Sequence, residues 1–361
     1  MKQYQDLLQE ILDNGREKES GRANMPNTLG LSRGTILMEN VEQNFPLLTT
    51  KKMFWKGIVH ELLWFLRGET NIKYLVDNNV NIWNGDAYRW YLKYANSLEE
   101  PDYGYHADDP KENCTRVFTM EEFIENIKRG RLGLHSKYKL GDLGKVYGHQ
   151  WRNQNGVDQI KDIYDDLKNN PMGRYKILDA WNKKEFPEMA LPPCHLLYQF
   201  IVRPMTLQER DNWAWDNGLK EEYKKDAPLK YDEWIAWHDN HNVPKYYLDL
   251  NMYQRSVDTF LGAPFNLASM SLLLMIMAKA VGMVTGDAFW IGGDTHLYLD
   301  HLDVVREQIS REPMQLPQMK IDKELNSLED IMELSIDDFE LVGYESHDKL
   351  KAELFTGLKK K

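Results

Sequence analysis

Residues 267–282 read LASMSLLLMIMAKAVG, an apolar run that has the length of a helix and ends at a glycine. No continuous run of about 18 apolar residues occurs, so the sequence predicts no membrane span. Two further helices are predicted, over residues 2–14, where apolar side chains share one face, and over residues 56–69. The strand-like segments are GTILMEN (34–40), RYKILDAW (174–181), LLYQFIV (196–202), KYYLDLNMYQRS (245–256) and DAFWIGGDTHLYL (287–299).

Strands at separated positions, together with a few long helices, predict an α+β fold with one large sheet. At 361 residues the length alone allows one large domain or two small ones. Residues 85–140 and 204–245 are rich in charge, Trp, Tyr and Asn and show no sustained periodicity. We expect both stretches to be surface insertions.

Charge and cysteine content exclude some classes of function. The net charge of −11 argues against a nucleic-acid surface, which needs a basic stripe, but leaves room for a small anion held by a few converging arginines. The two cysteines, Cys114 and Cys194, stand far apart in unlike contexts, which predicts no disulfide and a reduced, cytoplasmic protein. The spacing of Cys and His residues matches no metal site.

Cys194 lies in the segment MALPPCH, between two prolines and a histidine. Buried free cysteines usually act as small apolar side chains, and that interpretation stays open. However, the prolines fix two φ angles and remove two backbone donors, so the thiol sits on a stiff backbone. A thiol held rigidly at the start of a strand is a candidate nucleophile.

Four other segments carry candidate groups. Glu61 lies on a strongly apolar helix, where an ionised carboxylate needs a partner or a task. YQRSVD (253–258) places an arginine, a hydroxyl and an acid close together, which suits a phosphate. Asn266 precedes the long apolar helix and could be a simple helix cap. His296 and Tyr298 lie two residues apart, on one side of a strand.

Six segments, in this order, resemble the thymidylate synthase superfamily, which includes phage-type dUMP hydroxymethylases. They are FPLLTTKK, HELLWFLRGETNI, GDLGKVYGHQWR, MALPPCH, YQRSVDTFLGAPFNLAS and GGDTHLYLDH. The resemblance covers most of the chain and implies one domain over residues 1–361. It also implies an α+β sandwich on a large mixed sheet and a homodimer joined sheet to sheet.

The resemblance implies a role for each matching residue. Cys194 matches the nucleophile that adds to carbon 6 of a pyrimidine nucleotide, and nearby arginines would favour its thiolate. The other residues matching catalytic positions are Glu61, Tyr147, His195 and Arg255. Those matching substrate-binding positions are Arg22, Ser256, Gln254, Asn266, His296, Tyr298 and, from the partner subunit, Arg174. Those matching positions that bind the cosubstrate, 5,10-methylenetetrahydrofolate, are Trp83, Asp258, Gly262 and Phe265. The family needs no metal, nucleic acid or membrane.

Three segments depart from the family pattern. The loop GRANMPNT (21–28) keeps Arg22 but lacks the glycines usual in the family, and Arg174 is followed by Tyr175 where a second arginine is usual. The tail ends HDKLKAELFTGLKKK instead of in a short apolar segment that closes over the folate. Since lysines favour solvent, we expect this lid to close less tightly. Alternatively, Leu354 and Phe355 form a normal lid and the lysines trail beyond it.

The altered tail favours hydroxymethylation, in which water captures the activated one-carbon unit and dUMP becomes 5-hydroxymethyl-dUMP. Such enzymes occur in bacteriophages, so a phage-infected bacterium is one expected setting. The alternative is a thymidylate synthase, which makes dTMP and dihydrofolate. A non-catalytic nucleotide-binding paralogue is a remote third interpretation, because the whole catalytic set is present.

Overall fold

The structure is a computed structural model that describes all residues except 22–23, 96–104, 107–108, 114–116, 132–137, 223–229 and 358–361. The helices are α1 (Lys2–Asn14), α2 (Trp55–Leu66), α3 (Lys73–Asp77), α4 (Asn84–Ala95), α5 (Met120–Lys128), α6 (Tyr147–Asn153), α7 (Gln159–Asn169), α8 (Leu207–Asp216), α9 (Tyr231–Asn240), α10 (Gly262–Ala280), α11 (Leu302–Ser310) and α12 (Leu328–Met332). Short 3₁₀ turns cover Lys183–Glu188, Leu299–His301 and Ile336–Asp338.

The strands are β1 (Arg16–Lys18), β2 (Thr28–Leu31), β3 (Gly34–Met38), β4 (Tyr105–His106), β5 (Asp109–Asn113), β6 (Ile177–Asp179), β7 (His195–Pro204), β8 (Tyr246–Asp258), β9 (Val284–Tyr298), β10 (Gln318–Ile321) and β11 (Phe339–Val342). Seven strands form one mixed sheet in the order β1-β2-β9-β8-β7-β6, with β3 also paired to β9. The predicted α+β class with a large sheet is confirmed. β4 with β5, and β10 with β11, form separate two-stranded sheets.

β8 and β9 are the parallel pair of the sheet, and α10 is the crossover helix between them. This helix is buried along nearly its whole length and packs against α2 and both strands. It is long and apolar enough to cross a membrane, but 78% of its apolar window is buried inside the protein. That burial is typical of the core helix of a folded protein.

The sheet has one covered face and one open face. Along β8 the buried residues Leu248, Leu250 and Met252 alternate with more exposed ones, because successive side chains point to opposite faces. The open face carries partly exposed apolar side chains on five strands, and the ladder pairings put them on the same side. They are Leu37, Ile177, Ile201, Tyr253, Phe289 and Ile291.

The two stretches expected to be surface insertions differ in structure. Within 85–140, helices α4 and α5 bury Ala87, Tyr91 and Phe123 in the main hydrophobic core, so these helices are more than a surface addition. The sequence analysis did not predict these two helices, because many charged and aromatic residues obscure their amphipathic pattern. Within 204–245, α8 and α9 enclose a small separate cluster of Ala214, Trp237 and Val243.

Candidate active site

A cavity of about 420 Å³ opens between the carboxyl end of β8, the first turns of α10, helix α2 and the chain before β7. It brings together most of the residues singled out in the sequence. Those in its lining are Glu61, Trp83, Tyr147, Cys194, His195, Gln254, Ser256, Asp258, Gly262, Phe265 and Asn266. The other lining residues are Ile82, Asp86, Leu191, Val257, Leu261, Ala352 and Leu354.

Arg255 organises the chain around Cys194. Its Nε donates to the carbonyl of Pro193 (2.8 Å) and one terminal nitrogen donates to the carbonyl of Pro192 (3.1 Å). The same nitrogen lies 3.7 Å from the Cys194 Sγ, and the Arg255 amide donates to the Cys194 carbonyl (2.8 Å). The two prolines thus supply acceptors on a stiff backbone, and a fixed cation beside the sulfur favours the thiolate.

His195 and Tyr147 form a stacked pair beside the thiol. Their ring centroids lie 4.2 Å apart at 12°, and the His195 Nδ1 is bonded to the Tyr198 hydroxyl (2.9 Å). Burial lowers the pKa of His195 to about 3, so its ring is neutral at physiological pH. A neutral ring already bonded to Tyr198 does not form a thiolate–imidazolium pair with Cys194.

The Tyr147 hydroxyl accepts a hydrogen bond from the Cys194 amide (2.6 Å), which fixes the phenol next to the nucleophile. Burial, followed by the nearby Cys194, raises the pKa of Tyr147 well above its usual value. The phenol therefore keeps its proton and can donate it to a group in the cavity. This placement fits a role in proton transfer for Tyr147, which matches a catalytic position of the family; that role remains a proposal.

Glu61 faces the cavity from α2, and the Trp83 indole N–H donates to its Oε1 (2.7 Å). Burial raises the pKa of Glu61 to about 7, although the bond from Trp83 acts in the opposite direction. A carboxyl group with a pKa near neutrality can both donate and accept a proton at physiological pH. Glu61 is therefore suited to general acid–base work at the expected position.

Asn266 lies inside α10, not before it, because the helix begins at Gly262 and not at 267. The helix-cap interpretation is therefore wrong. Its Oδ1 instead accepts from the Gln254 Nε2 (2.9 Å), while the Gln254 Oε1 accepts from the Trp290 indole N–H (2.9 Å). Because an indole can only donate, this relay fixes both amides and leaves the Asn266 Nδ2 as the donor available to a ligand.

Ser256 and Asp258 follow Gln254 along β8, and all three residues line the cavity. The Asp258 Oδ1 accepts the amides of Phe260 (3.0 Å) and Leu261 (3.1 Å), so this carboxylate also shapes the turn into α10. Its Oδ2 is the oxygen left to a ligand. Aromatic and aliphatic walls at Ile82, Trp83, Leu261 and Phe265 suit a flat ring system.

Three expected ligand residues lie outside the lining of the cavity. His296 and Tyr298 are neighbours on β9, with rings 5.4 Å apart, but neither lines the cavity. His296 pairs with Asp258 across the sheet, which places both near the cavity's edge. Arg174 is exposed on the chain before β6. Arg22 lies outside the described residues.

The tail forms part of the cavity wall. Ala352 and Leu354 line it, and the Glu353 carbonyl accepts a bond from the His301 Nε2 (3.0 Å). The Phe355 ring stacks on His301 (centroids 5.1 Å apart) and meets Tyr298 edge-on. The expectation of a loose lid therefore does not fit these residues, whereas the alternative lid of Leu354 and Phe355 does. Lys359–Lys361 lie outside the described residues.

The sequence analysis did not identify several residues of the site. Asp86 reaches the cavity from α4, inside a stretch assigned to the surface, and Tyr198 contacts His195. The apolar side chains of Leu191 and Ala352 carry no chemical signal. The order of residues along α4 could have pointed to Asp86, had that stretch been interpreted as a helix. The described residues hold no cluster of three or more His, Cys, Asp or Glu suited to a metal.

Comparisons with known proteins decide the family. A family model described as thymidylate synthase matches residues 2–356. The thymidylate synthase of Mesoplasma florum is 37% identical over 355 residues, which is 98% of this chain and 99% of that protein. Those of Mycoplasma mobile (38% over 355 residues) and Phytoplasma mali (36% over 354 residues) cover 98% and 97% of this chain, and 99% and 98% of their own length. The chain belongs to the thymidylate synthase family.

Membership of the thymidylate synthase family makes the chain an enzyme. It is a transferase that acts on carbon 5 of a pyrimidine nucleotide and uses methylenetetrahydrofolate as cosubstrate. The cavity fits this cosubstrate, since its apolar walls can hold a pterin ring beside the Asp258 carboxylate.

Proposed function

We propose that the enzyme is a thymidylate synthase that converts dUMP and methylenetetrahydrofolate into dTMP and dihydrofolate. This proposal replaces hydroxymethylation, the first expectation from the sequence, with its alternative. The relatives named above are called thymidylate synthases and align with nearly the whole chain. A reduced, cytoplasmic setting is part of the proposal, because a free thiol must stay reduced to act as a nucleophile.

The packing of the tail against the cavity is the observation that carries the proposal. Hydroxymethylation was expected because a basic tail would leave the cavity open to water. In the described tail, Leu354 lies in the cavity wall and Phe355 stacks on His301. Although Leu354 is still 52% exposed, a tail packed against the cavity limits the access of water to an electrophilic one-carbon unit before hydride reaches it. The tail geometry therefore supports reduction over hydration.

In the proposed reaction, the side chains of the cavity have different roles. Cys194, beside Arg255, adds its sulfur to carbon 6 of the pyrimidine, and the Asn266 Nδ2 donates to the O4 oxygen on which charge develops. Glu61 and Tyr147 hold protons within the cavity. When bound, methylenetetrahydrofolate supplies the one-carbon unit and the hydride.

Product analysis tests the proposed function. The purified enzyme is incubated with dUMP and methylenetetrahydrofolate, dihydrofolate is followed by absorbance, and nucleotides are identified by mass spectrometry. We expect dTMP and dihydrofolate in equal amounts. 5-Hydroxymethyl-dUMP with tetrahydrofolate would instead establish the hydroxymethylase, and no product at all would point to a non-catalytic paralogue. The Cys194→Ser protein serves as the blank.

We also propose that two copies of the chain pair through the open face of the sheet. That face carries Ile177, Ile201 and Tyr253 at 39–40% exposure, and a row of apolar side chains at this exposure is typical of an interface. Arg174 and the 92%-exposed Tyr175 lie at the end of β6, the edge strand of this face. From there Arg174 can reach the neighbouring copy, where it would bind the nucleotide phosphate.

Mixing two inactive variants tests the shared site. If Arg174 serves the partner's cavity, Arg174→Ala and Cys194→Ser are each expected to lower activity strongly. A mixed dimer of the two has one intact site, so random exchange restores up to about a quarter of wild-type activity. Arg129→Ala, which removes an exposed arginine directly after α5, is the control for loss of charge. A fully active monomer in sizing experiments, or no recovery on mixing, would contradict the shared site.

A further inference from the structure

One guanidinium on α4 joins three segments at the rim of the cavity. One terminal nitrogen of Arg89 donates to the Thr356 carbonyl of the tail. The other donates to the Asp86 carboxylate, one turn earlier on the same helix, and to the Ala190 carbonyl (3.3 Å). Ala190 precedes the Pro192–Cys194 segment. Helix α4, the tail and the nucleophile's segment therefore meet at this side chain.

The chemistry of this junction requires an arginine. A planar guanidinium donates in several fixed directions at once, and Asp86 orients it through a charge-assisted bond. A main-chain carbonyl is the tail group that is held, so the anchor does not depend on which side chain Thr356 carries. Asn24 adds a second anchor, since its Nδ2 donates to the Gly357 carbonyl (3.2 Å).

Gly85 makes room for the same tail residue. A Cβ added to Gly85 would lie 2.6 Å from the Thr356 Cγ2 and 2.9 Å from its Cβ, closer than carbon atoms approach in folded proteins. Two features of α4, one helical turn apart, thus fit Thr356: Arg89 binds its carbonyl, and Gly85 leaves room for its side chain. The second feature is steric and is independent of the charge on Arg89.

We propose that Arg89 is a positioning residue that holds the tail closed over the cavity, with Asp86 orienting it and Gly85 providing the space. Arg89 acts through Thr356 and contacts neither nucleotide nor folate. The tail in turn places Leu354 and Ala352 in the cavity wall, beside the apolar side where the folate would bind. The proposal rests on the proposed one-carbon transfer but not on which product forms.

Steady-state kinetics of Arg89→Ala and Arg89→Lys test whether Arg89 holds the tail over the cavity. For Arg89→Ala we expect kcat/KM for methylenetetrahydrofolate to fall about 10- to 100-fold, because the closed tail is lost, while the Kd of dUMP stays within about twofold. Arg89→Lys keeps one charged donor and is expected to recover part of the loss. Arg306→Ala, which removes an exposed arginine on α11 that pairs with Asp303, is the control.

A double-mutant cycle distinguishes an effect of Arg89 through the tail from a general effect of Arg89 on the stability of the fold. A chain ending at Glu353 lacks Thr356, so in that chain Arg89→Ala is expected to have no further effect on dUMP consumption. Gly85→Ala is expected to reproduce the loss in the full chain and to have no effect in the shortened one. Its thermal stability should not fall, since alanine favours a helix over glycine.

Three results would overturn the proposal. They are unchanged kinetics in Arg89→Ala, an equal loss from Arg89→Ala in the shortened chain, and full activity in Gly85→Ala. All three are read as consumption of dUMP. A hydroxymethyl product from the wild-type enzyme would overturn the proposed function alone and leave this test intact.

Discussion

Replacing Cys194 by serine is expected to reduce turnover to below about one per cent of wild type, while dUMP still binds. The hydroxyl cannot supply an anion comparable to the thiolate that Arg255 favours at 3.7 Å. The Arg255 guanidinium is also held by the carbonyls of Pro192 and Pro193, so the exchange of one atom leaves its position intact. Initial rates and equilibrium binding of dUMP measure the two effects separately.

Cys114→Ser is the matched control, because Cys114 is the other cysteine of the sequence and no catalytic role is assigned to it. It is expected to keep wild-type turnover. A Cys194→Ser protein with turnover above about one per cent would remove Cys194 from the role of nucleophile. A protein that fails to bind dUMP would show instead that the substitution disturbs the whole segment, and thermal unfolding would reveal it.

Asn266→Asp is expected to shift the preferred nucleotide from dUMP towards dCMP. The Trp290–Gln254 relay leaves the Asn266 Nδ2 as a donor, which pairs with O4 of uracil. Aspartate keeps the oxygen that accepts from Gln254 but replaces the donor by a second acceptor, which fits the 4-amino group of cytosine. A site that hydrogen-bonds its substrate discriminates strongly against a mismatched one, by up to about 10⁴-fold.

The ratio of kcat/KM for dUMP to that for dCMP measures this shift. Asn212→Asp introduces the same charge on the exposed surface of α8 and is expected to leave the ratio unchanged. Equal use of both bases by the wild-type enzyme would contradict the assignment of Asn266 to the base. So would an Asn266→Asp protein that still prefers dUMP by the wild-type ratio.

The parts of the site that the sequence predicted are those with unusual local chemistry. Cys194 stands out because two prolines directly precede it, and Glu61 stands out because it lies on an apolar helix. The structure brings both into one cavity. The strands and the α+β class were also predictable, since alternation and apolar runs are local signals.

The parts that it did not predict depend on contacts between distant segments. No local pattern shows that Trp290 orients Asn266 through Gln254, or that Arg89 binds the Thr356 carbonyl. The sequence analysis predicted a loose tail because the tail is rich in lysine. Its position depends instead on bonds to its backbone carbonyls and on the Phe355 ring, which stacks on His301. The start of α10 was placed too late because Gly262 and Pro264 suggest a loop, although proline is tolerated in the first turn of a helix.

The pairing of β2 and β3 with β9 has a consequence for how the chain folds. Thr28 pairs with Tyr298 and Gly34 with Gly292. Two strands near the start of the sequence therefore pair with a strand that lies about 250 residues later. Contacts of such high sequence separation slow folding, since a long loop must close before they form. Until β9 arrives, the apolar strand β3 has an unpaired edge that can pair with another copy. Fragments that lack β9 should therefore aggregate, and refolding yield should fall as protein concentration rises.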